Sequence, residues 1–373
     1  MSEPEADRPQ TITTYELLER SARAALEMQR EDGSFPPGRN GVYDEPETPV
    51  RTTSKWLMTL SKAYEITKDQ TFKTAANNAA DYLLSDEARP YGYTFHSRSA
   101  EGKDNCDGLV GQSPVIASLA RTSSILDRPE LIETAESVFS LHPFEEQVGL
   151  WERVETTGDR LSFDRTLNHQ IFFAAAGSFL ADEYPEAERQ VRCFVDNLET
   201  NLRTDEDGLI RHFVRPAPGL VCKVAGRSPR RWNLLWNEFM FHYYARSSSH
   251  QSKEIGYHSV CLSGLATLKQ NFPDHRLWES DKITRAVDRI SVDQQNSDYD
   301  TNYGAMVPGL RLARVADAFD YPVEVVLKHI EKAVSEYYDF ETDTLTNNAI
   351  DPTYQSSMIN SLTYLPDGRL NFK

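Results

Sequence analysis

Two short segments concentrate groups that can move a proton. Asn168-His169-Gln170 opens the most apolar stretch of the chain, Gln170 to Leu180, so an imidazole stands where a buried helix begins. Glu254-Ile255-Gly256-Tyr257-His258 sets a carboxylate and a second imidazole four residues apart, on one face of a helix, with a phenol beside them. A histidine, a carboxylate and a tyrosine suffice to take a proton from a sugar carbon and return it. His169 and His258 are therefore the expected proton carriers, with Glu152 or Glu254 orienting or assisting.

Around them lies a set suited to a sugar, which offers hydroxyls to bond and apolar ring faces to stack on. Trp151 and Trp236 supply aromatic faces, and Asp107, Asn168, Glu238, Tyr257, Asn302 and Tyr303 supply polar ones. Arg51, Arg153 and Arg165 could each grip a uronic carboxylate with a bidentate fork. Plainer roles exist for all of these. Asp107, Asp164 and Asn302 precede helices and would cap them, His169 could be a satisfied structural group, Glu254 and His258 a surface pair, and each arginine an ion-pair partner. A carboxylate pair, Asp107 with Glu152 or Asp164, would serve glycoside hydrolysis or elimination instead.

These residues need elements that gather them. Apolar residues recur three and four apart along most of the chain, and a short turn followed by two helices repeats down its length. Apolar and amphipathic helices alternate, the buried set starting near 51, 108, 167, 256, 305 and 354. Six buried helices, each with an outer partner, predict an all-α (α/α)6 barrel, with an open helical solenoid as the competitor. Residues 1–10 read as a polar tail and 11–373 as one domain. The longest gap marks an insertion at about 207–248, where Leu209 to Val214 alternates like a strand. In such a ring the segments entering the buried helices share one end, and the site is expected there.

Composition removes several classes. A net charge of −17 over 373 residues excludes a nucleic-acid partner, because phosphate contacts need a basic surface. Only 12 of the 40 basic residues are lysines against 57 acidic ones, a balance that salt adaptation or ordinary solubility would produce. Cys106, Cys193, Cys222 and Cys261 form no paired motif for zinc. Neither a membrane span nor a signal segment is legible, so a cytoplasmic protein is expected. The phosphate-cradling, dinucleotide, zinc-protease and serine-hydrolase motifs are all missing, and no metal or other cofactor is expected. Gln29 to Phe35 looks like the Gln-and-Trp repeat of triterpene cyclases, but their acidic cyclisation motif is absent.

Asp164 to Gly177 (DRTLNHQIFFAAAG) and Glu254 to Val260 (EIGYHSV), with the trailing Leu262 to Leu268, resemble the AglQ-type proteins of archaeal N-glycosylation clusters. That resemblance implies a role in assembling the N-linked glycan of surface-layer glycoproteins, as a hexuronic-acid isomerase or epimerase. It implies a sugar or glycan substrate, possibly nucleotide- or lipid-linked, and other glycosylation enzymes as partners. The wider barrel group includes sugar epimerases and unsaturated glucuronyl hydrolases. No site residue carries over from it, so His169 and His258 rest on the chemistry above. A non-catalytic glycan-binding or scaffold protein is the remaining alternative.

Overall fold

Helix α2 (Val50–Thr67) is buried on every side from Val50 to Ser61, although that run holds Thr52, Thr53, Ser54, Thr59 and Ser61. Small hydroxyls help by finding partners close by: Ser54 Oγ donates to the Arg51 carbonyl at 2.8 Å, Thr59 Oγ1 to that of Lys55 at 3.2 Å, and Thr53 Oγ1 accepts the Phe35 N–H at 2.9 Å. The protein is described by a computed structural model covering residues 11–244, 246, 248–293 and 307–372. The expected tail lies outside the described residues.

Around α2 the other inner elements follow in chain order: α4 (Gly108–Leu126), α6 (Leu167–Gly177), α10 (Ser248–Asn271), α12 (Pro308–Ala318) and α14 (Pro352–Ser357). From α2 to α12 each packs on the next; α12 then meets a 3-10 segment at Met358–Tyr364 that continues α14, and this segment and α14 both pack on α2 and close the ring. Gly264 on α10 permits the close approach to α6, since a Cβ there would lie 2.6 Å from Ile171 Cγ2. Outside the ring, α3 (Gln70–Leu84), α5 (Pro129–Leu141), α7 (Pro185–Asn201), α11 (Asp281–Asp293) and α13 (Val323–Tyr337) back α2, α4, α6, α10 and α12. The sixth inner element is backed by α1 (Thr14–Met28). Outer helices are two-sided: α7 buries Ala187, Val191, Phe194, Val195 and Leu198 and turns its charges outward.

The ring is also tied by its ends. Strand β1 (Thr11–Thr13) pairs antiparallel with β5 (Arg369–Asn371), Ile12 opposite Leu370, and α1 begins in a reciprocal capping box of Thr13 and Glu16. This is the (α/α)6 barrel.

Three details depart from the sequence reading. The sixth inner element is one short α-helix followed by 3-10 turns, in which Ser356, Ser357 and Thr363 bond carbonyls three or four residues back. Helix α10 starts two turns earlier than residue 256. The expected strand at 209–214 is reduced to isolated bridges, Thr204 with Ile210 and Thr166 with Phe213. The three-stranded sheet lies instead between α5 and α6, as β2 (Phe144–Glu145), β3 (Leu150–Val154) and β4 (Arg160–Phe163). Between α7 and α10 run these bridges, α8 (Pro218–Ala225), a 3-10 turn at Pro229–Leu234 and α9 (Leu235–Tyr244). Among the described residues no helix is long and apolar enough to cross a membrane.

Candidate functional site

A cavity of about 370 Å³ opens at the end of the ring where α2, α4, α6 and α10 begin, and runs inward along the axis. Its mouth holds Asn40, Tyr43, Arg51, Asp107, Asn168, His169, His212 and Tyr257; deeper lie Lys55, Arg311, Tyr354 and Met358; Arg314 and Tyr364 lie deepest.

On the α6 side stands an Asp164–His169 dyad. Asp164 Oδ2 meets His169 Nδ1 at 2.9 Å and accepts the Leu109 N–H at 3.1 Å, while Oδ1 accepts the Thr166 N–H at 3.2 Å. One buried carboxylate therefore joins the amino ends of α4 and α6, where helix dipoles favour negative charge. Burial works to raise the Asp164 carboxyl, but the neighbouring His169, Arg153 and the Leu109 N–H outweigh it and bring it down to about 2. An ionised carboxylate only accepts, so Nδ1 carries a proton, and the tautomer this selects has Nε2 as its acceptor. His169 itself lines the cavity.

Gly108 makes room for this dyad. Its φ is +58°, and a Cβ there would lie 2.6 Å from Asp164 Oδ2. Gly108→Ala is expected to cost about 1–3 kcal/mol and to lower turnover by displacing Asp164, measured by urea unfolding alongside steady-state kinetics. Unchanged values of both would show that the carboxylate has another place to go.

Across the cavity the groups are cationic. Lys55 Nζ sits 3.6 Å from the centroid of Tyr354 and 2.9 Å from Met358 Sδ, and among the described residues no carboxylate forms an ion pair with it. Burial pushes the Lys55 ammonium down, partly countered by Tyr354; burial pushes the Tyr354 phenol up, but Lys55 and Arg51 reverse that and leave it below its ordinary value. Arg311 and Arg314, three residues apart on α12, both face inward. Tyr364 is stacked between Arg314, 3.7 Å from its ring, and Arg121 at 3.9 Å. Tyr257 shares a 2.9 Å bond between hydroxyls with Tyr43, and its phenol is pushed well up by burial and by Tyr43. Glu45 and Asp107, the cavity's carboxylates among the described residues, are both held by cations: Glu45 by Arg98 and Lys103, Asp107 by Arg51 and Arg98.

Five of the expected site residues thus meet at the cavity: Arg51, Asp107, Asn168, His169 and Tyr257. Of the others, those whose side chains are described do not line it. His258 is fully buried behind α10: its Nδ1 accepts the Ile210 N–H at 3.1 Å and its Nε2–H donates to the Ala286 carbonyl at 3.0 Å. Glu254 shares that helix face, paired with Arg211 and accepting the His212 N–H at 3.2 Å. The two share the helix face that their spacing predicts, and there they fasten the 205–212 loop. Glu152 is buried between Arg160 and Arg231 in β3. Trp151 is a core residue packed against Phe139, Phe144, Phe173 and Phe194, its N–H bonded to Gln190 at 2.9 Å, so it offers no free face for stacking. Arg165 lies over Phe213 and Trp236 is exposed on α9. Asn302 and Tyr303 lie outside the described residues, as does the side chain of Glu238. Sequence reasoning missed Tyr354, His212, Arg311 and Arg314. The last two were legible as a pair of arginines on an otherwise apolar helix, Pro308-Gly-Leu-Arg-Leu-Ala-Arg-Val.

Burial, with Arg289 adding to it, depresses the pKa of His258 to about 3, against the Ala286 carbonyl and Asp207, which work to raise it. Burial likewise brings His142 and His329 to about 4. Above pH of about 6.5 neither folded nor unfolded chain binds these protons, and the full stability is present. As pH falls toward 4 the unfolded chain takes them up first, at roughly 1.4 kcal/mol per pH unit per histidine. Urea unfolding at pH 7, 6 and 5 should show the loss, shallower in His258→Asn; an equal slope in that variant would place the titration elsewhere.

No family model matches the chain. It is 36% identical over 360 residues to archaeal glycosylation protein Q of Haloferax volcanii, covering 94% of this chain and 97% of that one. The chain belongs to the archaeal glycosylation protein Q family. Among solved structures the family's barrel superposes on cellobiose 2-epimerase from Bacillus thermoamylovorans with a TM-score of 0.63 at 11% identity, covering 94% of this chain and 98% of that one. A D-mannose isomerase gives 0.57 at 11% identity, with 94% and 96% covered. An unsaturated glucuronyl hydrolase specific for heparin gives 0.54 at 13%, with 93% and 96% covered. At these identities the likeness is one of fold. Within the described residues of this family member, no group of three His, Cys, Asp or Glu side chains could hold a metal ion.

Proposed function

We propose that the protein is a sugar isomerase or epimerase acting on a hexuronic acid, free, nucleotide-linked or lipid-linked, during assembly of the N-linked glycan of surface-layer glycoproteins. The observation that carries this reading is the Asp164–His169 dyad, whose histidine lines a cavity with Lys55 and Arg311 deeper inside it. The glycosylation context is supported by the relative from Haloferax volcanii, and the sugar chemistry by the epimerase and isomerase that share the fold.

Removing hydrogen from a carbon beside a carboxylate or carbonyl requires a base and a sink for the electron pair. His169 Nε2 would take the proton, and the pair would pass to the carboxylate or carbonyl oxygen as an enediolate. Lys55 and Arg311 would stabilise that oxygen in a desolvated site. Helix α6 and α14 are three places apart in a ring of six, so His169 and Tyr354 project from opposite walls. Tyr354 would return a proton to the other face, inverting the centre; return to the neighbouring carbon would isomerise the sugar. Lys55 and Arg311 replace Arg165 as the expected carboxylate grip.

Hydrolysis is the weaker reading. It needs one carboxyl free to donate and another free to attack or activate water. Asp107 is clamped by two arginines, Asp164 is committed to His169, and Glu152 is remote from the cavity. Product analysis with glucuronate, its UDP conjugate and a lipid-linked glucuronyl oligosaccharide tests the choice. The expected product has unchanged chain length and an altered sugar. New reducing ends or an unsaturated sugar would mean hydrolase or lyase, and saturable binding without conversion a glycan-binding protein.

A further inference from the structure

Helix α9 and the 3-10 turn before it carry a row of large apolar side chains exposed to solvent. Trp232, Leu235, Trp236, Phe239 and Tyr243 recur at helical spacing, and Trp236 and Phe239 are each 62% exposed. Their rings touch in sequence: Trp236 to Phe239 at 6.2 Å, Phe239 to Tyr243 at 6.5 Å. Scattered exposed apolar residues need no explanation, but a contiguous row does.

Charge says what covers it. In a chain of net −17, residues 218–246 hold Lys223, Arg227, Arg230, Arg231 and Arg246 against one acid, Glu238. Arg227 and Arg231 are spent on Glu145 and Glu152 within the fold. Lys223, Arg230 and Arg246 are exposed, form no ion pair among the described residues, and bracket the aromatic row at both ends. Tryptophan, tyrosine and phenylalanine on one face with cations beside them fit the boundary between anionic headgroups and acyl chains. A second copy packed through the same face by two-fold symmetry would meet the aromatics but set those cations against their own kind.

We propose that the α9 face docks the protein on an anionic lipid bilayer. The location suits an enzyme whose substrate is at a membrane: Asn237 on α9 donates to the Val214 carbonyl at 2.8 Å, two residues beyond cavity-lining His212. The docking itself does not depend on the activity proposed above.

The test is co-sedimentation of the full chain with vesicles of phosphatidylglycerol and phosphatidylcholine in equal parts, against phosphatidylcholine alone, with tryptophan emission read in parallel. Anionic vesicles are expected to bind the protein and shift its emission to the blue. The Trp232→Ser/Trp236→Ser/Phe239→Ser variant and, separately, the Lys223→Glu/Arg230→Glu/Arg246→Glu variant should each bind more than about tenfold more weakly, with unchanged circular dichroism. Three results would overturn the proposal: no binding to either vesicle, equal binding to both, or a dimer in sedimentation equilibrium that the aromatic variant abolishes.

Discussion

His169→Ala is expected to lower kcat/KM about 10²–10⁴-fold, with most of the loss in kcat. The side chain is partly exposed to the cavity, and Asp164 keeps the Leu109 and Thr166 N–H groups without it, so the fold should be retained. Asp164→Asn should cost a comparable factor for a different reason. An amide could offer its N–H to Nδ1, which would move the ring proton to Nε2 and remove the base without moving the ring. The pair of variants separates a catalytic dyad from a structural one: a merely structural His169 would show a stability loss and an unchanged kcat. Steady-state kinetics beside urea unfolding decides this.

Arg51→Met is expected to destabilise the fold by about 3–5 kcal/mol. Arg51 joins two buried carboxylates, Glu47 at 2.7 Å and Asp107 in a second, short contact. Burial opposes its charge, but the two carboxylates outweigh that and hold the guanidinium protonated. Removing it strands the buried Glu47 and leaves Asp107 to Arg98 alone, with two carboxylates near each other at the amino ends of α2 and α4. Glu47 is already pushed up by burial and would be driven further, so acidification should recover part of the loss. Arg51→Lys keeps the charge but cannot fork to both partners, and should fall between the two. A loss under about 1 kcal/mol in Arg51→Met would show that the trio is solvated and of little weight. Because its donors are already engaged, Arg51 shapes the mouth more than it grips a substrate.

The ring was legible because burial on all sides and burial on one side leave different periodicities. Helices α5 and α7 begin and end where turn residues and apolar spacing predict, and the buried starts at 108 and 167 follow from Asp107-Gly108 and Thr166. Residues next to those starts, Asp107, Asn168 and His169, consequently reach the cavity. What defeated the reading was burial of charge by pairing. Trp151-Glu152-Arg153 looks like a polar segment entering a helix, yet Glu152 is satisfied by Arg160 and Arg231 and so can occupy a buried strand. Glu254 and His258 share a face as their spacing requires, but periodicity gives no sign of which neighbour that face meets. Tyr354 escaped notice because its partner Lys55 is some 300 residues away in the chain, a proximity only the closed ring creates.

Solvent exchange tests the proton-transfer account most directly. Purified protein, incubated in deuterated water with glucuronate, its UDP conjugate and a lipid-linked glucuronyl oligosaccharide, would be followed by NMR for wild type and His169→Ala. The expected result is deuterium at C5, or at C2 after isomerisation, appearing with the wild type and lost in the variant. Exchange that survives His169→Ala, or conversion without any exchange, would contradict it.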